Sequence, residues 1–320
     1  MYSPAWRPDG GDEDAGILRY AVVVAASRFF SLSPQTVKLY RMLGNRLLER
    51  ERVGEGLPTR YIERAARLMQ ECRRHQAILR GGQVLELGTG WLHWEAMIIR
   101  LLYDVELTLF DVWDNRLWGG YKTYVAELDK QIDQALDLSE AESEQAHRLL
   151  GALSRAESFD AVYRLLGADY VISPAGTLAG FDDGRFDAVV SCDVLEHVDK
   201  AILPQFVYDM HRVLKPNGYG LHQIDLSDHF SYFDAKASRK NYYKYSDRHW
   251  RLFFENRVQY FNRVQRPEWL QLFSRAGFEL VEEGLTLESL RPVKLDKKYA
   301  SMGKQDLECV TMRLVIRHRP

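Results

Sequence analysis

Cysteine is scarce in this sequence of 320 residues, and the few that occur are widely separated. The three cysteines are Cys72, Cys192 and Cys309, and none of them belongs to a CxxC pair. An odd number of distant cysteines gives neither a disulfide framework nor a thiolate zinc site. We therefore expect a protein of a reducing compartment, with the cytoplasm as its location.

The sequence also lacks an excess of one charge and a long apolar run. Lysine plus arginine number 43 and aspartate plus glutamate number 45, which leaves a formal net charge of −2. Such a chain has no overall electrostatic attraction for nucleic acid or for an anionic membrane. The apolar run 17–30 is short and contains Arg19 and Arg28, so it predicts a buried helix and no membrane insertion. The N-terminus shows no signal-peptide pattern.

The pattern of apolar and polar residues divides the chain into three parts. Residues 1–15 are rich in proline, glycine and acids, and they predict a disordered tail. Residues 16–80 have helical spacing and predict an N-terminal helical cap. Residues 81–320 are predicted to form the main domain, and 226–266 is a long aromatic insertion in it that we assign to substrate binding.

Short apolar strands alternate with helices from residue 83 onwards. Seven segments predict strands: 84–87, 105–110, 170–172, 186–191, 218–224, 278–282 and 310–317. Strands that are separated by helices are joined by right-handed crossovers and usually lie parallel. The predicted fold class is therefore α/β, with a doubly wound, mainly parallel sheet of seven strands.

The first predicted strand runs into a glycine turn and then into a helix. The segment VLELGTG places Glu86 in the strand and Thr89 between the two turn glycines, Gly88 and Gly90. Glycine allows the backbone to bend sharply and a ligand to approach it closely. The third glycine of the dinucleotide pattern GxGxxG is absent, and no GK[ST] follows. A nicotinamide site and a P-loop are therefore not favoured.

Two further motifs lie at the ends of later strands. Asp111, which precedes Val112, follows the glycine turn by about 20 residues, where a carboxylate can accept both hydroxyls of a ribose. The segment FDAVVSCDVLEHV, residues 186–198, is a strand that runs into a turn containing Asp193. A helix then leads to the KPNG turn at residues 215–218, whose Pro-Asn-Gly sequence ends that helix.

Together these motifs resemble those of class I S-adenosylmethionine (SAM)-dependent methyltransferases, over about residues 80–285. The resemblance implies a Rossmann-like fold with SAM as cofactor, whose ribose is bound by Asp111 and whose amino end is bound by Glu86. The cofactor-binding residues that it implies are Glu86, Gly88, Thr89, Gly90, Asp111, Val112, Ser173 and Asp193. Where the family often has an acid near the adenine, this chain has Ser173, so Ser173 or a backbone carbonyl would meet the adenine amino group.

The fifth predicted strand ends in a cluster of histidines and aspartates, His222, Asp225, Asp228 and His229. Ligands lie at the carboxyl ends of strands in such sheets, so the cluster is expected to face the methyl acceptor. His222 or His229 would act as a general base, with Asp225 or Asp228 orienting it. Alternatively, Asp225, Asp228 and His229 hold a divalent cation, or the cluster only caps a turn and lines the crevice. His197 either faces the substrate or caps a helix.

The predicted function is O-methylation of a sugar or another small hydroxylated metabolite. Aromatic rings interleaved with arginine and amide side chains in 226–266 suit a polyhydroxy acceptor, bound between this insertion and residues 17–79. The segments GTGW and IDLSDHF look like those of methyltransferases from bacterial glycan and secondary-metabolite clusters. The alternative is an N-methyltransferase or another SAM-using enzyme. No nucleic-acid partner is expected, and an oligomer is compatible with the sequence.

Overall fold

The computed structural model describes residues 13–234, 236–290 and 293–319. Its helices are α1 (Glu13–Phe30), α2 (Pro34–Glu55), α3 (Thr59–His75), α4 (Trp94–Leu102), α5 (Trp118–Ala135), α6 (Glu140–Arg155), α7 (Phe159–Leu166), α8 (Leu203–Val213), α9 (Asp247–Phe253), α10 (Arg266–Arg275) and α11 (Lys304–Glu308). Its strands are β1 (Gly82–Leu87), β2 (Val105–Asp111), β3 (Ala168–Ile172), β4 (Phe186–Cys192), β5 (Leu214–Asp225), β6 (Phe278–Leu287) and β7 (Cys309–His318). Of the predicted tail, residues 1–12 lie outside the described residues and 13–15 belong to α1.

The strands form one seven-stranded sheet in the order β3-β2-β1-β4-β5-β7-β6. Strands β1 to β5 pair in parallel, whereas β7 runs antiparallel to both β5 and β6. The predicted α/β class and the mainly parallel, doubly wound sheet are therefore confirmed. The strand order reverses between β1 and β4, so the carboxyl ends of β1, β2, β4 and β5 border the crevice in which such sheets bind ligands.

Helices cover both faces of the sheet, and successive residues of each strand point to opposite faces. On one face, Val84 and Leu221 join a hydrophobic core with α3 to α7. On the other face, Leu85 and Ile224 join a core with α8 and α10. Because His222 is two residues before Ile224 in β5, it points towards α8 and α10 as well.

The helical cap consists of α1, α2 and α3, which differ in how much of their surface is buried. Helix α3 packs into the core through Leu68, Met69 and Cys72. Helix α1 is buried on one face only, because Tyr20 and Val24 pack into a hydrophobic core whereas Val22 and Phe29 are exposed. Among the helices of the described ranges, none is long and apolar enough to cross a membrane.

The insertion 226–266 folds as two short 3₁₀ turns and α9, held together by a third hydrophobic core. Of its eleven aromatic rings, five are buried there, as Tyr242 is, and two more, Tyr245 and Phe254, pack against them. The buried Lys240 ammonium donates to the carbonyl of Leu226 at 2.7 Å and to Oε1 of Gln265 at 3.0 Å. These seven rings of the core therefore stabilise the insertion itself and are not free to contact a ligand.

Candidate active site

Two glycines shape the turn after β1, Gly88 at φ 61° and Gly90 at φ 64°, both in the left-handed region. A Cβ on Gly88 would lie 2.5 and 2.6 Å from the two Cγ atoms of Val194, so the packing of the protein itself requires glycine there. A Cβ on Gly90 would meet no atom closer than the Gly88 carbonyl oxygen at 3.8 Å. The space beside Gly90 is thus open to an approaching ligand.

Asp111 ends β2 next to this turn and is 5% exposed. Its Oδ2 accepts from the Gly90 backbone N–H at 3.0 Å and from Nδ2 of Asn115 at 3.0 Å. Its Oδ1 accepts from the Val112 backbone N–H at 2.7 Å. The carboxylate therefore joins the first two sequence motifs and sets the position of Gly90.

Ser173 and Val112 lie together at the ends of β3 and β2. The backbone N–H of Ser173 donates to the Asp111 carbonyl at 2.9 Å, and the Ser173 carbonyl accepts from Gly176 at 2.9 Å. Val112 is 38% exposed, so its side chain offers an apolar surface at the edge of the crevice. The structure thus places both residues beside Asp111.

The side chains of Glu86 and Thr89 point into the protein. The Thr89 hydroxyl donates to Oε2 of Glu86, and Oε1 of Glu86 accepts from the Glu95 backbone N–H at 3.1 Å. Burial raises the pKa of Glu86 well above its ordinary value, and the neighbouring Glu95 raises it further. The two side chains therefore stabilise the glycine turn and the first turn of α4.

An arginine of the cap, Arg64 in α3, reaches this region, and sequence reasoning did not single it out. Its Nε lies 2.6 Å from Oε1 of Glu95. Burial acts to lower the pKa of Arg64, but Cys192, Glu95, Tyr61 and Asp193 outweigh it and raise that pKa overall. One arginine in an amphipathic helix carries no distinctive signal, so only the tertiary packing reveals it.

The pair of Arg64 and Glu95 should matter for stability. We expect Arg64→Met to lower the free energy of unfolding by about 3–5 kcal/mol, because it leaves Glu95 buried without a counter-ion. Adding Glu95→Gln should recover much of this loss. Urea unfolding measures both, with Arg60→Met at an exposed position of α3 as control. A single-variant loss below about 1 kcal/mol, typical of a surface pair, would contradict the assignment.

Asp193 follows β4 in the left-handed region, at φ 55°. Its backbone N–H donates to the carbonyl of Gln223 at 3.0 Å, and its Oδ1 accepts from Nε2 of the same residue at 3.1 Å. Burial raises the pKa of Asp193, and Asp225 contributes to the rise. Asp193 is therefore held against the end of β5, with its carboxyl group near Asp225.

His229 and Asp225 form a buried pair beyond the carboxyl end of β5. Nε2 of His229 lies 3.5 Å from Oδ2 of Asp225, which also accepts from the Tyr232 hydroxyl. Burial alone would raise the pKa of Asp225, but His229 and Tyr232 hold that pKa below its usual range. The ring of His229 packs 4.6 Å from the ring of Phe261. The structure thus brings together two of the predicted catalytic residues.

His222 does not lie with them, contrary to the sequence prediction. Its Nδ1 is 2.8 Å from the Ser191 hydroxyl, and its ring stacks 5.9 Å from Phe273 of α10. Burial lowers the pKa of His222 to about 3. The side chain belongs to the core under α10, because its position in β5 points it to the same face as Ile224. We therefore do not assign a catalytic role to it.

The carboxylate of Asp228 also has other partners, so the predicted set of cation ligands must be revised. Its Oδ2 accepts from the Tyr20 hydroxyl of α1 at 2.9 Å, and its Oδ1 accepts from the Phe230 backbone N–H at 3.0 Å. The predicted set of Asp225, Asp228 and His229 therefore does not converge. Among the described residues, the group that can offer ligand atoms to one ion consists of Glu196, His197 and His229.

Glu196 and His197 belong to a 3₁₀ turn, Leu195–His197, directly after β4. The ring of His197 lies 4.8 Å from the ring of His229, so it faces the same space. Glu196 is 2% exposed, and burial together with Asp193 and Asp225 raises its pKa well above the ordinary value. The neighbouring residues Glu196 and His197 can be read from the sequence, but only the fold shows that they lie close to His229.

A family model and several solved structures are similar to this chain. A family model described as a methyltransferase domain matches residues 56–283, which is more than half of the chain. A SAM-dependent methyltransferase from Methanosarcina mazei is 13% identical, with a TM-score of 0.42, over 77% of this chain and 97% of that chain. No curated protein matches the sequence.

Two further structures are matched over only part of their length. Phosphoethanolamine N-methyltransferase 2 of Haemonchus contortus, solved with SAM, is 10% identical, with a TM-score of 0.43, over 79% of this chain and 52% of that chain. CurJ carbon methyltransferase is 14% identical, with a TM-score of 0.38, over 75% and 49%. This chain therefore spans about half the length of each. The family match over residues 56–283 shows that the chain belongs to the methyltransferase domain family, as a class I SAM-dependent methyltransferase.

Proposed function

We propose that the protein transfers the methyl group of SAM to a hydroxyl group of a small polyhydroxy molecule, such as a sugar, in glycan or secondary-metabolite biosynthesis. The observation that carries this proposal is the buried pair of His229 and Asp225 beyond β5. A hydroxyl must lose its proton as the methyl group transfers, whereas a neutral amine already offers a lone pair. A histidine held by a carboxylate is suited to receive that proton.

The cofactor fits the open space beside Gly90 and the end of β2. When bound, SAM supplies a methyl group on a positively charged sulfur. We assign its methionine part to the Gly88–Gly90 turn and its ribose to Asp111, with Val112 and Ser173 bordering the adenine. Asp193 would face the cofactor from the end of β4. Glu86 and Thr89 would support the turn from inside the protein.

Alanine substitutions at the two turn glycines should separate folding from cofactor binding. Gly88→Ala should lower the free energy of unfolding by roughly 2–4 kcal/mol, since it adds a clash with Val194 to the left-handed strain. Gly90→Ala should cost only about 1–2 kcal/mol, because the space around its Cβ is empty. Its methyl group would instead obstruct S-adenosylhomocysteine. Urea unfolding and calorimetric titration test both, and a Gly90→Ala variant with parental affinity would contradict the placement.

The cap and the insertion enclose the acceptor side in our proposal. They are joined where the Ser31 hydroxyl accepts from the Arg257 backbone N–H at 2.9 Å and where Gln259 donates to the Tyr40 hydroxyl at 2.7 Å. A cavity of about 590 Å³ opens between α2, Trp113 and Arg257. Its lining residues are Pro34, Val37, Lys38, Arg41, Met42, Asn45, Trp113 and Arg257.

This cavity has the chemistry of a site for a ring that carries negative charge. The guanidinium of Arg41 lies 4.4 Å from the ring centre of Trp113, and Lys38 and Arg257 add two further cations. Trp113 follows Asp111 by only two residues, so the cavity adjoins the assigned ribose site. We assign it to the part of the acceptor that does not react, such as a phosphate-linked ring.

Few side chains take part in the proposed reaction. Asp225 remains ionised and orients His229. The hydroxyl proton passes to the His229–Asp225 pair as the hydroxyl oxygen bonds to the methyl carbon and the carbon–sulfur bond breaks, with its electron pair left on sulfur. Alignment of the acceptor by the cap and the insertion would provide a further share of the rate, because methyl transfer requires an in-line path.

An acceptor screen tests this function. Purified protein is incubated with SAM and with matched sets of sugars, phosphorylated sugars, phenols and amines, and release of S-adenosylhomocysteine is measured. We expect turnover with hydroxylated acceptors, strongest with those that carry a phosphate. Turnover confined to amines or to carbon acceptors would contradict the proposal and support the N-methyltransferase or another SAM-dependent reaction.

A further inference from the structure

Three potential metal ligands meet in the interior, between the ends of β4 and β5. Glu196 and His197 come from the turn after β4, and His229 follows β5. One ligand atom from each residue lies within 4.8 Å of those of the other two. Glu196 is 2% exposed, His229 is 5% exposed, and the His197 side chain is 8% exposed. The three residues thus form a compact group that is largely shielded from solvent.

Several polar atoms of this group have no hydrogen-bond partner among the described residues. They are both carboxylate oxygens of Glu196 and, apart from its 3.5 Å approach to Oδ2 of Asp225, Nε2 of His229. Buried polar groups in folded proteins are almost always partnered, because leaving them unpaired costs free energy. The buried, unpartnered carboxylate of Glu196, with a ligand atom within 4.8 Å of both imidazoles, therefore points to a bound species that these groups contact.

The remaining ligand, His197, is oriented as metal-binding histidines usually are. Its Nδ1 lies 2.6 Å from the backbone carbonyl oxygen of Tyr260. A carbonyl oxygen only accepts, so Nδ1 carries the proton and Nε2 keeps its lone pair. That Nε2 lies 3.8 Å from Oε1 of Glu196. A hydrogen bond of this kind from the second ring nitrogen is the common way to fix a metal-ligating histidine.

We infer that Glu196, His197 and His229 bind one divalent transition-metal ion. Two imidazole nitrogens and one carboxylate oxygen suit zinc and the other first-row divalent ions better than calcium or magnesium, which prefer oxygen ligands. Asp193 and Asp225 lie close enough to act electrostatically on Glu196, so the surroundings favour a positive charge. An ion would draw the three ligand atoms together, since zinc–nitrogen distances are about 2.0–2.1 Å.

The role of this ion rests on the proposed O-methylation. Three protein ligands leave coordination positions free, and an acceptor hydroxyl could occupy one of them. The ion would then make that hydroxyl more acidic. With His229 bound to the ion, the proton would pass to the neighbouring Asp225 carboxylate, whose Oδ2 lies 3.5 Å from Nε2 of His229. The oxygen then bonds to the methyl carbon, and the carbon–sulfur electron pair stays on sulfur as before.

Direct metal binding tests the inference without any measurement of activity. The full chain is treated with chelator and dialysed, and Co²⁺ is then titrated while its visible absorption and the bound metal per chain are measured. We expect one Co²⁺ per chain, displaced by Zn²⁺. Glu196→Gln, His197→Gln and His229→Gln should each weaken Co²⁺ binding by about 100-fold or more, beyond the 10–100-fold typical of residues that only support a ligand.

Matched variants control for unfolding and for general histidine binding. His249→Gln, at an exposed position of α9, should bind Co²⁺ like the parent. Each ligand variant should still bind S-adenosylhomocysteine, which shows that it is folded. Asp111→Asn should show the reverse pattern, with Co²⁺ binding retained and S-adenosylhomocysteine binding weakened.

Failure of the cation site and failure of the proposed function give different results. A parent protein that binds no Co²⁺ and no Zn²⁺, yet methylates hydroxyls, would overturn the cation site and leave the function standing. The cation site would also be overturned, and the proposed function would still stand, if the three ligand variants bound Co²⁺ as tightly as the parent. Stoichiometric Co²⁺ that is lost in all three variants, with methylation confined to amines, would support the site and overturn the proposed function.

Discussion

Replacing His229 with glutamine should lower the rate of methyl transfer to a hydroxyl acceptor by about 10²–10⁴-fold, the usual contribution of a proton-transferring group. His229 is 5% exposed, and its Nε2 lies 3.5 Å from Oδ2 of Asp225, at the end of the crevice where the acceptor is expected. The loss is expected whether His229 takes the proton itself or binds an ion that acidifies the hydroxyl. It should appear in kcat at saturating SAM, with affinity for S-adenosylhomocysteine unchanged.

His222 provides a matched control within the same strand. Its Nδ1 contacts Ser191 and its ring stacks on Phe273, so it lies in the core under α10 and not with His229 and Asp225. His222→Asn keeps a polar atom near the Nδ1 position, and we expect a nearly parental kcat with some loss of stability. The measurement is single-turnover transfer of labelled methyl in both variants, with and without chelator. Near-parental rates in His229→Gln under both conditions would remove His229 from the mechanism.

Replacing Asp111 with asparagine should weaken binding of S-adenosylhomocysteine by roughly 10–100-fold. The carboxylate accepts from the Gly90 N–H, the Val112 N–H and the Asn115 amide, and in our placement it also accepts from the ribose. Hydrogen bonds to a charged group contribute about 1.5–3 kcal/mol each, and about 1.4 kcal/mol corresponds to a tenfold change. Asparagine offers one acceptor oxygen in place of two and turns an N–H group towards other donors.

The nearby Asp114 is a suitable control for the Asp111 variant. It pairs with Arg116 at 2.7 Å, and its side chain is 52% exposed. Asp114→Asn should therefore leave the affinity for S-adenosylhomocysteine within about twofold of the parent, as expected for a surface pair that contributes about 0–1 kcal/mol. Calorimetric titration compares the variants. Equal affinities of Asp111→Asn and the parent, with an unchanged unfolding midpoint, would show that the ribose lies elsewhere.

The positions that the cofactor-side residues take in the fold could be predicted because their signals are local in sequence. A buried strand, two glycines and an acid after the next strand each have a direct structural meaning, and the fold places them together at the carboxyl ends of β1 and β2. The open space beside Gly90 and the contact of Asp111 with the Gly90 N–H agree with that prediction. The sequence did not predict the contacts of the Glu86 and Thr89 side chains, since both point to partners inside the protein.

The acceptor side was predicted less well because its geometry depends on residues far apart in the chain. Strand alternation could have separated His222 from the crevice, since His222 shares its face with the apolar Ile224. Nothing local indicates that Asp228 is bound by Tyr20, which lies in a helix of the cap. The approach of His197 to His229 likewise requires the insertion to fold back over the turn after β4.

The most direct test of the proposed function identifies the atom that receives the methyl group. The acceptor with the highest kcat/KM in the screen is converted with SAM that carries a ¹³C-labelled methyl group, and the product is isolated for two-dimensional NMR. Our proposal predicts that the labelled carbon correlates across an ether oxygen with a ring proton of the acceptor. A labelled methyl group attached to nitrogen or to carbon would contradict it, and the roles assigned to His229 and Asp225 as a proton-receiving pair would fall with it.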